Sequence, residues 1–227
     1  MGKLSIVATP IGNLEDITLR ALRTLKESDV IYAEDTRVIT KLLAKYEIEK
    51  PLQRLDAALE GKRIEEVIER INTGEKVVYV SDAGTPGISD PGARLVAGAR
   101  EAGVTIEAIP GPSALTALLS IAGLSSDEFV FVGFLPHKKG RQTAIKEMVS
   151  CARPTILYES PHRIVKFLEE LAVYDMFARV TIGRELTKMF EEVLVGTPSE
   201  LGTLLKKGKK ERGEFAVIVE PSITVKK

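Results

Sequence analysis

The sequence predicts an α/β protein of two domains, on three observations. Apolar strands alternate with amphipathic helices along most of the 227 residues, the pattern of βαβ units. One strand-to-helix link, Ser81–Gly92, is rich in Gly and Pro and exceeds the about two to six residues such a turn needs. The second half differs in texture, with strand pairing expected near Glu191–Val195 without a long intervening helix. We therefore expect an N-terminal domain with a mostly parallel sheet and a C-terminal domain with a mixed sheet. They meet near residues 112–124, and the boundary is drawn as 1–115 and 116–227.

Taken in order, strands are expected at Lys3–Ala8, Asp29–Glu34, Lys76–Val80 and Thr105–Ile109. Between them, Leu19–Leu25 and Ile64–Ile71 have helical apolar spacing. Asp90 and Pro91 are placed to cap and open a helix over Ala93–Arg100. Pro110-Gly111-Pro112 leads into Ser113–Ala122, an apolar helix of small residues. Further strands are expected at Phe129–Val132, Thr155–Tyr158, Arg179–Ile182 and Glu214–Val219. A helix is expected over Ser160–Ala172, with Ser160 as its cap and Pro161 following. Thr197-Pro198-Ser199-Glu200 reads as a capping box with proline at the first helical position.

Composition excludes several classes. Hydrophobic content of 44% with 28% charge is that of a globular protein, and no apolar run reaches membrane-spanning length. The start lacks the organisation of a signal peptide. A single cysteine, Cys151, rules out an internal disulfide framework and suits a reducing, cytoplasmic setting. Two histidines and no cysteine pair give no basis for a structural metal site. Lys plus Arg equals Asp plus Glu at 32 each, yet the charge is clustered. Lys138, Lys139, Arg141 and Lys146 lie in an acid-free stretch delivered by Gly133-Phe134-Leu135-Pro136, and five cations surround Glu211. Such runs are usually solvated surface; the functional reading is contact with phosphates, for which Lys138, Lys139 and Arg141 are the candidates.

Four loops share one character. Thr9-Pro10-Ile11-Gly12-Asn13, Glu34-Asp35-Thr36-Arg37, Ser81–Gly92 and Pro110-Gly111-Pro112-Ser113 each leave a strand expected to be parallel. In a parallel sheet these ends share one edge, where ligands bind. Neither a G-x-G-x-x-G fingerprint nor a G-x-x-x-x-G-K-[ST] loop is present, which excludes the common dinucleotide and P-loop sites. Asp35 is equally a ribose-binding acid or a helix cap.

These blocks, with Tyr158-Glu159-Ser160-Pro161-His162-Arg163 and Gly183-Arg184-Glu185-Leu186-Thr187-Lys188, occur in the order and spelling of one family. The chain resembles the ribosomal RNA small subunit methyltransferase I family, within the tetrapyrrole methylase superfamily. The resemblance implies two α/β domains of the tetrapyrrole methylase type with S-adenosylmethionine in a cleft between them, and a homodimer. It implies 2′-O-methylation of a cytidine in the decoding region of 16S rRNA, presented within the 30S subunit. Cofactor contacts carried over by position are Pro10, Ala83, Gly84, Thr85, Ile88, Ser89, Ser113 and Ala114, with Tyr158 and Glu159 from the second domain. The chain departs from the family at Leu55–Gly61 and at His137. A small-molecule methyltransferase of the same fold is the alternative.

Methyl transfer to a ribose hydroxyl has its difficulty at the nucleophile, whose proton must leave. Asp82, Glu159, His162 and Glu185 are the base candidates, and Lys188 could stabilise the oxyanion; Glu185, His162 and Lys188 are the catalytic assignment. Each has a bland rival. His162 could be surface, Glu159 could pair with Arg163, Glu185 with Arg184, and Asp82 could close an Asx-turn in its own loop.

Overall fold

The computed structural model describes residues 2–56, 60–88, 92–124 and 127–223. The chain divides into two compact units, Met1–Ser113 and Ala114–Lys227.

The first unit contains β1 (Lys3–Val7), α1 (Leu19–Glu27), β2 (Val30–Ala33), α2 (Thr36–Lys45), β3 (Leu52–Arg54), α3 (Glu60–Asn72), β4 (Lys76–Val80), α4 (Ala93–Glu101) and β5 (Ile106–Ile109). The strands form one parallel sheet in the order β3-β2-β4-β1-β5. Both faces are covered, so its central strands run apolar without alternation: Val30–Ala33 is buried throughout. Ala21 and Leu25 of α1 pack with Ile39, Leu42 and Leu43 of α2 against one face. Val67 and Ile71 of α3 pack with Leu95 and Ala99 of α4 against the other. The adjacent strands β1 and β4 thus send their following helices to opposite faces, which opens the sheet edge between their ends.

The second unit contains α5 (Ala114–Ile121), β6 (Val130–Phe134), α6 (Arg141–Ser150), β7 (Thr155–Glu159), α7 (Ile164–Tyr174), β8 (Arg179–Arg184), β9 (Glu192–Gly196), α8 (Pro198–Gly208) and β10 (Phe215–Glu220). Its sheet is mixed, in the order β6-β7-β10-β8-β9, with β6 and β7 parallel and the other pairs antiparallel. Leu157, Val180, Ile182, Val217 and Val219 face α6, α7 and α8, which supply Ile145, Phe167, Leu168, Leu201 and Leu205.

Three expectations shift. β6 runs two residues beyond the expected Val132, because Gly133 at φ +63° lets a register irregularity pass between Phe131 and Phe134. α7 starts at Ile164 rather than near Ser160, which instead opens a turn whose carbonyl accepts from Arg163 N and Ile164 N. α4 has Gly92 at its N-cap, and Asp90 and Pro91 lie outside the described residues. No sequence expectation covers α2, β3 or α6. The capping box at Thr197 forms in full. Among the described residues no helix is long and apolar enough to cross a membrane, and no cluster of His, Cys, Asp or Glu could hold a metal ion.

Candidate active site

In the first unit the parallel sheet delivers the expected loops to one edge, and hydrogen bonds tie them together. Thr9 N donates to Gly84 O at 2.9 Å, and Gly84 N returns to Thr9 O at 3.0 Å. Thr9 Oγ1 donates to Ser81 O at 3.3 Å, and Thr85 Oγ1 to Pro112 O at 3.1 Å. The loops after β1, β4 and β5 are therefore one layer. Gly84 sits at φ +82°, where a Cβ is strained and would lie 3.3 Å from Ile11 Cγ2. Pro10 and Ser113 are buried, whereas Ala83 and Gly87 are exposed and Thr85 and Ile88 half-buried. Ser89 lies outside the described residues.

The loop after β2 joins this layer through Asp82. Its Oδ1 accepts from Asp35 N at 2.8 Å, so it bridges two loops instead of closing a turn in its own. Burial pushes the Asp82 carboxyl up, and the neighbouring Asp35 charge adds to this. Asp35 is the N-cap of α2 and accepts from Arg37 N, while the Arg37 guanidinium holds its carboxyl down at about 2. The sequence left Asp35 open between cap and ligand, and the cap is what forms. Thr9–Ile11, Ser81–Ile88 and Pro110–Ser113 contain no Lys or Arg. A neutral-to-acidic edge of backbone groups and small side chains suits a cationic sulfonium with a nucleoside, so these loops fit the implied cofactor.

The second unit gathers the remaining candidates at one edge of its own sheet. Phe215 at the start of β10 pairs with Glu159 on one side and Arg184 on the other. The Tyr158–Arg163 and Gly183–Lys188 segments consequently flank β10, two strand spacings or about 10 Å apart. Glu185 Oε1 accepts from Lys188 Nζ at 3.0 Å and from Glu214 N at 2.9 Å, and Lys188 also reaches Glu214 Oε2 at 3.1 Å. Burial pushes the Glu185 carboxyl up, but the Glu214 amide and Lys188 outweigh it and hold it below its ordinary value. Burial likewise opposes the Lys188 charge, and the two carboxylates outweigh it and hold the ammonium above its ordinary value. Glu185 is thus a poor proton acceptor and Lys188 a persistent cation. Arg184 pairs with Glu192 at 3.1 Å, not with Glu185. Glu185 at φ +51° and Thr187 at φ +66° are left-handed non-glycine residues, a concentration of backbone strain in one loop.

His162 is exposed, in the turn before α7. Tyr158 packs edge-on to Phe131, with ring centroids 5.2 Å apart, and tilted to Phe134 at 5.6 Å. Its neighbour Glu159 points to the opposite face and is only 1% exposed. Arg163 and Ser160 N bind its Oε1 and Arg141 its Oε2, so the carboxylate is engaged within the second unit. The Glu159–Arg163 pairing is the bland alternative, and it forms. Arg141 is also corrected: at 3% exposure, with Glu159 and Glu170 as partners, it cannot face RNA. Lys138 and Lys139 are exposed. Sequence reasoning missed Glu170, whose place four residues after Lys166 on a helix gave no sign of a buried partner.

Comparison with known proteins supplies the deciding observation. Residues 3–202 match the family Tetrapyrrole (Corrin/Porphyrin) Methylases. A Ribosomal RNA small subunit methyltransferase I from Thermotoga maritima is 44% identical over 96% of this chain and 98% of its own length. One from Borrelia garinii subsp. bavariensis is 43% identical over 96% and 99%. The chain belongs to the ribosomal RNA small subunit methyltransferase I family of tetrapyrrole methylases. It is a methyltransferase. Solved structures agree on the fold: a cobalt precorrin-4 methyltransferase superposes at a TM-score of 0.72 with 17% identity, covering 96% of this chain and 94% of that one. A diphthine synthase gives 0.73 with 20% identity over 95% and 89%. Both expected sheets, parallel and then mixed, are those of this fold.

Proposed function

We propose that this methyltransferase uses S-adenosylmethionine to methylate the 2′-hydroxyl of a cytidine in the decoding region of 16S rRNA, acting in the cytoplasm on the 30S subunit as a homodimer. The observation that carries this reading is the near end-to-end relation to proteins named for small-subunit rRNA, at 44% identity over 98% of the Thermotoga maritima relative. Pro10, Ala83, Gly84, Thr85, Ile88, Ser89, Ser113 and Ala114 would hold the cofactor. Bound S-adenosylmethionine supplies a methyl group activated by a sulfonium, with a neutral thioether as the leaving group.

The chain's own residues then act on the hydroxyl. Lys188, held cationic by Glu185 and Glu214, stabilises the oxygen as its proton departs. His162 takes that proton. Glu185 orients Lys188 rather than accepting a proton itself. Removing Lys188 should lower kcat by about 10²–10³-fold. Glu185→Gln should lower it less, leave the acid limb of the pH profile in place and move the alkaline limb set by Lys188 to lower pH.

The test offers methyl-labelled S-adenosylmethionine with 30S subunits, naked 16S rRNA and a tetrapyrrole precursor in parallel. Label on a ribose hydroxyl of 30S RNA is the expected outcome. Label on naked rRNA alone would overturn the 30S assignment, and label on the tetrapyrrole would move the substrate to the small-molecule branch.

A further inference from the structure

Four charged side chains of the second unit are packed together where the chemistry above does not use them. Glu159 ends β7 with its side chain fully buried; its Oε2 accepts from Arg141 Nη1 at 3.1 Å and its Oε1 from Arg163 Nη2 at 2.7 Å. Arg141, the first residue of α6, also donates from Nε to Glu170 Oε2 at 2.7 Å. The two guanidiniums reach further, to consecutive carbonyls. Arg163 Nη1 donates to Leu135 O at 3.1 Å, and Arg141 Nη1 to Pro136 O at the longer 3.5 Å.

Those carbonyls are the first two after β6. The residues that follow, His137–Gly140, are all exposed, and Lys138 and Lys139 have no ion pair among the described residues. The loop closes on Arg141, whose own N–H donates to Lys138 O at 3.3 Å.

Stability alone is a weak reason for this cluster. A buried ion pair is often no better than well-packed apolar side chains, because desolvation offsets the attraction. Here an added penalty stands, since Arg141 Nη2 is buried with no partner among the described residues. What the cluster does that an apolar core cannot is grip two successive peptide groups at the root of an exposed cationic loop.

We propose that Arg141, Arg163 and Glu159 form a clamp that positions the His137–Gly140 loop for the phosphates of the RNA substrate. Arg141 is then a positioning residue, which governs RNA binding without touching RNA. This rests on the rRNA reading above. Loss of the clamp leaves Lys138 and Lys139 in place but frees the loop, so their phosphate contacts must be ordered at each binding event.

A double-mutant cycle separates the two levels. RNA affinity and its salt dependence are measured for the wild type, Arg141→Gln, Lys138→Ala/Lys139→Ala and the combination, with 30S subunits as the probe. Arg141→Gln should weaken binding about tenfold and lower the salt slope by about one to two, as the lysine contacts are lost. In the lysine-free background the same substitution should change affinity less than twofold, and KM for S-adenosylmethionine should not move. An equal penalty in both backgrounds overturns the clamp. Binding that ignores both lysines overturns it together with its premise that this loop meets RNA, whereas failure to bind 30S at all refutes the rRNA reading itself. Should Arg141→Gln fail to fold by circular dichroism, Arg163→Lys serves in the same cycle. It keeps a charge beside Glu159 and loses the fork to Leu135 O.

Discussion

Asp82 accepts the Asp35 amide while its own charge is penalised by burial and by Asp35 beside it. Its folded-state pKa is raised, so the folded state binds more protons, and stability falls as pH rises from the ordinary carboxylate value through the raised one. At neutral pH the ionised group therefore works against the fold. Asp82→Asn keeps an oxygen for the Asp35 amide and removes the charge. Its Tm at pH 7 should equal or exceed that of the wild type, with any gain fading as pH is lowered through the carboxylate range. Asp82→Ala leaves the amide unpartnered and should cost about 1 kcal/mol. A lower Tm for the Asn variant at pH 7 would contradict this account. Glu185 has the opposite sign: its depressed carboxyl contributes stability that is present above its unfolded value and lost as pH falls through the folded one. Glu185→Gln should therefore lower Tm at pH 7 and flatten the acid limb of the Tm–pH curve.

At the scale of the element, α8 is the clearest case of local sequence deciding local structure. Thr197 Oγ1 accepts from Glu200 N and Glu200 Oε2 accepts from Thr197 N, with Pro198 at the first position. Thr197→Ala should cost about 1 kcal/mol in urea unfolding with an unchanged m-value. An effect below a few tenths would mean that packing of Leu201 and Leu205 alone holds the helix. Elsewhere the same kind of reading reached most strands, because buried parallel strands such as Val77–Val80 are continuous apolar runs. It passed over β3, whose three residues are too few to show a period, and α6, whose first turn carries a buried arginine. Arg141 stands among lysines in sequence, and only the tertiary fold brings Glu159, 18 positions away, to its guanidinium. The misplaced start of α7 has the same origin. Ser160 looks like a cap, but the Arg163 side chain takes its Oγ as acceptor, and the helix begins after that turn. The loops after β1, β4 and β5 were readable as one layer because Gly and Pro specify backbone course directly; the Asp82–Asp35 link was not, being a contact between residues 47 apart.

At the scale of the molecule, the described residues of each unit pack around their own cores: the second unit's lies against α6, α7 and α8, and the first unit's are two, one on each face of the parallel sheet. Ligand binding should therefore be visible unit by unit. S-adenosylhomocysteine at about 100 times its Kd adds about 2.7 kcal/mol to whatever it holds. Amide exchange should slow in residues 9–13, 81–88 and 110–113, and the Thr9 and Gly84 amides should be among the slowest. Gly84→Val, which forces a branched side chain into a left-handed backbone beside Ile11, should abolish that protection while β7, β8 and β10 exchange as before. Unchanged exchange in all three loops of the wild type would remove them from the cofactor assignment. Net charge, zero overall, conceals the clustering of Lys138, Lys139 and Lys146 in one acid-free stretch.

The place of β10 has a consequence for the order in which the chain is made. The last strand lies in the middle of its sheet, between β7 and β8, and both neighbours have waited for it through at least thirty residues of synthesis. The first sheet is complete once β5 has left the ribosome, since all five of its strands precede residue 110. The second cannot close until Phe215–Glu220 emerges, and until then β7 and β8 have exposed edges turned toward an empty slot. Nascent chains arrested before residue 215 should thus hold a protease-resistant first unit and a second that is cut freely, and they should be the stage at which this protein most needs a chaperone.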